Sequence, residues 1–170
     1  MKVFTEEQKF RQPIVSIGLI VAFIAAIVAI AADWENIDKG NFGEKLGALS
    51  GIIIILLVIL LFINLKLKTR VDEKGVFYQF APFHLTLILI PWNEITSSYI
   101  RKYNAIFEYG GWGMKFNFFK KKGKSYTTSG NIGLQLELKN GRKILIGTQK
   151  ENELQRVLNT YKHKLESNEK

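Results

Sequence analysis

The stretch Leu46 to Leu65, LGALSGIIIILLVILLFINL, contains no charged side chain. At about 1.5 Å per residue, a helix of that length crosses a hydrocarbon layer of about 30 Å. It reads as a transmembrane helix. A second uncharged run lies upstream, from Gln12 to Ala32, with Pro13 near its start and Asp33-Trp34-Glu35 closing it. Proline suits the first helical turn, where its missing N–H has no partner to lose, and a Trp at an acidic break is typical of a membrane interface. Spans at about 13–32 and 46–65 therefore predict a helical hairpin, with residues 1–65 as a membrane anchor. The competing reading is a cleaved signal peptide, with Lys2 to Arg11 as a basic leader and Ala29-Ile30-Ala31 as a small-x-small site. Against it, the apolar run outlasts the roughly 7–15 residues of a signal core, and a second span follows closely.

Charge is distributed unevenly along the 170 residues. Residues 1–65 sum to −1, whereas residues 66–170 sum to +10. Lys2, Lys9 and Arg11 precede the first span, Lys66, Lys68 and Arg70 follow the second, and the linker Asp33 to Lys45 is acidic. The positive-inside rule then places both termini in the cytoplasm and the linker outside. Neither span holds an ionisable side chain, and Ser16, Ser50 and Asn64 are polar interruptions able to bond their own helix backbone. That argues against a transporter, channel or proton relay, which need charge or broken helices at mid-membrane. Gly18, Ala22, Ala25, Ala26 and Ala29 in one span, and Gly47-x-x-x-Gly51 in the other, suggest close packing of the two helices. Zero cysteines exclude disulfides, thiolate catalysis and Cys-based metal sites.

From Lys66 the pattern changes to short strand-like runs separated by turn signals. Lys66–Val71 and Val76–Phe80 flank Asp72-Glu73-Lys74-Gly75, a turn with Gly where positive φ is needed. The apolar run His84 to Ile90, HLTLILI, reads as a third strand stopped by Pro91, and Ile95–Tyr103, Met114–Phe119 and Ser125–Ser129 as further strands. Leu134, Leu136 and Leu138 alternate with polar residues up to Asn140-Gly141, which predicts a two-residue hairpin returning over Arg142–Ile146. Thr148-Gln149-Lys150-Glu151 fits a capping box, with the Thr148 hydroxyl accepting an early helix N–H and Glu151 reaching back. The helix it opens, about 149–166, buries a stripe of Leu154, Val157, Leu158, Tyr161 and Leu165. The expected fold class is therefore α+β. A transmembrane helical hairpin precedes a domain over 66–170, a small antiparallel barrel or strongly bent sheet of about seven strands, capped by the C-terminal helix.

The order of these elements, with Ile90-Pro91-Trp92-Asn93-Glu94-Ile95, Arg101-Lys102-Tyr103-Asn104, Tyr109-Gly110-Gly111-Trp112-Gly113 and Ile144-Leu145-Ile146-Gly147-Thr148-Gln149, resembles bacterial two-helix membrane proteins with a pleckstrin-homology-like domain. The resemblance covers about Lys66 to Leu158. It implies a barrel of two near-orthogonal sheets closed by the helix, in a bacterial cytoplasmic membrane. It implies little about activity, because a fold does not fix a function. Phosphoinositide-gripping relatives cluster Lys and Arg at the first hairpin. Here that turn holds Asp72 and Glu73 against Lys74, so their site is not carried over.

No catalytic, metal or cofactor constellation is expected. His84 and His163 fall in different elements without patterned carboxylates, and the 109–113 segment lacks the glycine spacing of a phosphate loop. Its Tyr109 and Trp112 are candidates for packing or for partner contact. Lys120, Lys121, Lys122 and Lys124, at an expected hairpin tip, are candidates for contact with anionic lipid headgroups, where each Lys contributes about 1 kcal/mol. Tyr99, Arg101, Lys102 and Tyr103 only superficially resemble a base-stacking strand, so no nucleic acid is expected. The sequence thus predicts a non-enzymatic module at the cytoplasmic face that binds a protein partner or self-associates. An exposed strand edge or helix-flanking groove would take a peptide. The alternative is an anionic-lipid sensor built on the lysine hairpin.

Overall fold

The computed structural model describes residues 2–117 and 123–166. The chain divides into two compact units, Met1–Phe10 with Leu65–Lys170, and Arg11–Asn64.

The smaller unit holds α1 (Pro13–Ala32), a short α2 (Trp34–Lys39) and α3 (Phe42–Asn64). α1 matches the expected span, whereas α3 begins four residues before Leu46 and α2 occupies part of the linker. Both long helices are apolar enough to cross a membrane, and none of their described residues is buried. Their polar side chains bond locally as expected: Ser16 Oγ donates to Gln12 O (3.2 Å), Ser50 Oγ to Gly47 O (2.7 Å) and Asn64 Nδ2 to Leu60 O (2.8 Å). α1 packs against α3, but not through its glycines. A Cβ placed on Gly18, Gly47 or Gly51 would meet no atom within 4 Å, so the expected close approach at these positions is not made.

Among its described residues the larger unit contains nine strands, two more than the seven or so expected. β1 (Phe4–Lys9), β2 (Lys66–Val71), β3 (Gly75–Ala81) and β4 (Ile88–Pro91) form one antiparallel sheet in that order. The chain then passes through a single 3₁₀ turn, Trp92–Glu94, into a second sheet. This contains β5 (Ile95–Lys102), β6 (Gly113–Asn117), β7 (Gly123–Thr127), β8 (Ile132–Leu138) and β9 (Lys143–Gly147), in the order β5-β8-β9-β7-β6. β7 runs parallel to β9, so the fold is α+β with a mixed sheet, and the two sheets do not join into the closed barrel that was expected. The core between them is built from Leu67, Val71, Val76 and Phe80 on one side and Leu134, Leu136, Ile144 and Ile146 on the other, while Leu145 packs on the opposite face of its sheet. α4 (Ala105–Tyr109) and α5 (Glu151–Glu166) complete the unit, α5 starting two residues later than predicted.

β1 corrects the boundary of the expected anchor. Residues 4–9 belong to the β unit, pairing with β2 from Phe4↔Val71 to Lys9↔Lys66. The helical hairpin is therefore an insertion between two neighbouring antiparallel strands. Phe10 N–H, on the way out, donates to Leu65 O on the way back (3.0 Å).

Two turns show local chemistry at work. Gly75 takes φ +153° as expected, and a Cβ there would lie 2.2 Å from Ile90 O. Between Leu138 and Arg142, which close the β8–β9 hairpin, the turn holds three residues, Lys139 to Gly141, not two. Gly141 is left-handed (φ 77°), its N–H bonds Leu138 O (2.8 Å), and Leu138 N–H bonds Arg142 O (2.9 Å), the arrangement of a type I turn followed by a bulge.

Candidate functional site

A groove of about 480 Å³ lies between β5 and α5, lined by Thr96, Ser98 and Ile100 of the strand and by Gln155, Leu158 and Leu165 of the helix. Sequence and register explain why it is open. Among the described residues β5 pairs on one side only, with β8, and its register shifts between Ile95 and Ser97, which turns the strand near its start. Consecutive residues of β5 line the groove, so its strand edge, not merely one face, borders the space. Such an edge offers unpaired backbone groups to an extended chain.

The helical wall is fixed at its N-terminus by β1. Thr148 Oγ1 accepts Lys150 N–H (3.1 Å), one residue before α5 begins and not a helix N–H as the capping box predicts, and it donates to Glu6 Oε2 (2.7 Å). Glu151 does not complete the box, because Thr148 N–H is taken by Ile132 O (3.0 Å). Glu6 Oε1 accepts the next N–H along, that of Gln149 (2.8 Å), and so ties the chain entering the helix to β1. Two residues on, Gln8 donates to Gly147 O (2.8 Å) and accepts from Thr128 Oγ1 (2.7 Å). Further along, α5 buries Leu154, Val157, Leu158 and Tyr161; the Tyr161 ring lies 5.7 Å from Trp92, and its hydroxyl donates to Lys2 O (2.6 Å). Trp92 itself donates to Asp72 O (2.9 Å), so the tryptophan of the resembling segment is structural.

Beyond the groove, β5 carries a polar cluster. Arg101 bonds Glu108 (3.0 Å), Gln135 (3.0 Å) and the Tyr109 hydroxyl (3.2 Å). Tyr99 donates to Glu137 (3.3 Å), which also accepts from Lys143 (2.6 Å). That lysine hydrogen bond lowers the Glu137 carboxyl and, reciprocally, raises Lys143. Burial raises the Tyr109 hydroxyl and pushes Tyr103 up to about 12. These shifts follow from packing and pairing.

The predicted site residues disperse. Tyr109 is buried, and Trp112 packs against Tyr103, Ala105, Tyr109 and Leu145 while donating to Gly130 O (2.9 Å). Those two residues meet as packing, with the Tyr109 ring turned away from solvent. Lys120, Lys121 and Lys122 lie outside the described residues; Lys124, on β7, holds its ammonium 5.0 Å from the Phe116 ring. Tyr103 is buried, so its ring is not offered for base stacking. His84 and His163 are apart, and no group of three metal-ligating side chains occurs among the described residues. Sequence reasoning missed α4, although its signals are ordinary. Asn104 Oδ1 caps Ile106 and Phe107 N–H, and left-handed Gly110 ends the helix, leaving Ile106 and Phe107 exposed. No family model matches the chain, and no curated protein or solved structure matches it either.

Proposed function

We propose that this chain is a non-enzymatic, two-span protein of a bacterial cytoplasmic membrane, of the pleckstrin-homology-like kind. Its β unit, at the cytoplasmic face, holds an extended segment of a protein partner in the β5–α5 groove. The observation that carries the reading is the one-sided pairing of β5 beside a groove with apolar residues in both walls. Strand addition would supply main-chain hydrogen bonds, while Ile100, Leu158 and Leu165 would select alternate side chains. Membrane embedding is supported by α1 and α3, which leave Ile14, Ile24, Leu49 and Leu57 more than half exposed. In water each such side chain would forfeit about 1.5–3 kcal/mol of burial.

The test places a photo-crosslinking amino acid at Thr96 or Gln155 in the full chain in its native membrane, with Asn140 as control. A discrete adduct from both groove positions, identified by mass spectrometry as one protein and absent from Asn140, is expected. Equal labelling from all three positions would reject the groove as the binding site.

A further inference from the structure

The apolar run His84 to Ile90 is not the buried strand its composition predicts. β4 begins only at Ile88, and residues 82–87 form a loop with Phe83 53%, Leu85 89% and Leu87 43% exposed. The loop is held in place. Gln79 Nε2 donates to both His84 O (3.0 Å) and Leu85 O (2.9 Å), His84 N–H donates to Phe80 O (2.9 Å), and Phe80 N–H donates to His84 Nδ1 (3.2 Å). The His84 imidazole turns inward, with its ring 5.4 Å from Tyr126 and 5.7 Å from Tyr78, and Phe83 stacks on Phe80 at 6.2 Å. Leu85 therefore points outward from a fixed frame.

Register shows where in the β unit that frame sits. Lys9 pairs with Lys66 and Lys66 with Ala81, so the loop leaves the sheet in line with Phe10 and Leu65, where the chain departs to and returns from its apolar helices. Lys124 is near enough to act electrostatically on His84, which brings the start of β7 to the same end. Apolar tips beside lysines, next to the roots of two long apolar helices, have the composition of a membrane interface.

We infer that Phe83 and Leu85 enter the headgroup–acyl boundary of the membrane that holds α1 and α3, while Leu87 folds back over Glu7 and Lys68 in mid-sheet. The 82–87 loop is then a third attachment, which restricts how the β unit turns on the bilayer and so the direction in which it offers its groove. This rests on the reading that the two helices span a membrane. It does not depend on what fills the groove.

Because the chain contains no cysteine, Leu85→Cys, Asn140→Cys and Ile24→Cys can each be labelled singly with an environment-sensitive fluorophore. Leu85 is exposed, so its replacement leaves the core intact. Asn140 lies at the far end of the unit, where Lys139 N–H bonds Glu94 O. The full chain is reconstituted into phosphatidylcholine vesicles containing phosphatidylglycerol and probed with aqueous iodide and with nitroxide-bearing lipid. At Leu85, iodide quenching about fivefold weaker than at Asn140, together with quenching by the lipid nitroxide, is expected. Iodide quenching equal to that at Asn140, with Ile24 still shielded, overturns the loop inference and leaves the spans intact. Shielding at Leu85 without nitroxide quenching means that protein covers the loop, and also overturns it. Iodide access at Ile24 would refute the membrane reading itself, and the inference with it.

Discussion

At Gly75 a single hydrogen in place of a side chain lets β3 start against β4. Alanine there combines an unfavourable positive φ with a Cβ 2.2 Å from Ile90 O and 2.8 Å from Pro91 Cα, and both obstructing atoms are backbone. Gly75→Ala should cost about 3 kcal/mol, measured as a lower denaturant midpoint, and an unchanged midpoint would mean the turn can shift. His84 gives a pH dependence of definite sign. Burial, with Lys124 adding to it, lowers His84 from its ordinary 6.5, so the fold favours the neutral ring. The stability it contributes is complete above 6.5 and is lost as pH falls through the lowered folded value. Protonation at Nδ1 also removes the acceptor for Phe80 N–H. Melting of the detergent-solubilised chain between pH 7 and about 5 should therefore fall more for wild type than for His84→Asn, ahead of most carboxylate titration; parallel curves would show that the ring titrates as it does in the unfolded chain. The positive φ of Gly75 was readable from its turn. The inward turn of His84 was not, since it depends on Tyr126, more than forty residues away.

Elements were legible where periodicity and burial agree. The stripe of α5 and the uncharged length of α1 each predict a helix, and the structure follows; β8 is a strand as its alternation predicts, although Gln135, between its leucines, is buried as well. β1 misled because its inward positions, Phe4, Glu6 and Gln8, are mostly polar, so FTEEQK looks like a solvated leader. What those residues satisfy, the start of α5 and the β9 carbonyl of Gly147, lies about 140 positions away, beyond any local pattern. The run HLTLILI failed in the opposite sense, apolar yet exposed, and local rules break in this way at functional surfaces. The groove was legible only as a general expectation of an edge or helix-flanking cleft, because which strand stays unpaired is decided by the order of the whole sheet. If β1 anchors α5, Glu6→Ala strands the Gln149 N–H and removes the Thr148 acceptor, at an expected cost of about 2–4 kcal/mol. Hydrogen exchange should speed up at the first turn of α5 more than in β6. Uniform acceleration would mean that Glu6 supports the fold only globally.

At the scale of the molecule, inserting the helices between β1 and β2 constrains topology independently of charge. Phe10 and Leu65 are hydrogen-bonded neighbours, so the two helix roots lie together, and if α1 and α3 cross a bilayer they do so as a hairpin with α2 on the far side. The proposed orientation rests on charge alone: Lys2, Lys9, Arg11, Lys66, Lys68 and Arg70 flank the roots, and the linker is acidic. Cleavage after Ala31 would remove β1 with all six of its pairs to β2 and release the bonds of Glu6 and Gln8 to the second sheet. The intact mass of the membrane-extracted protein should accordingly retain residues 4–9. In sealed cells, a membrane-impermeant maleimide should label Asn36→Cys on the exposed α2 but label Asn140→Cys only after lysis. Labelling of Asn140→Cys in sealed cells would invert the orientation. Loss of the first thirty residues from the mature mass would show that the β unit holds together without β1, and would undo the hairpin on which the membrane reading depends.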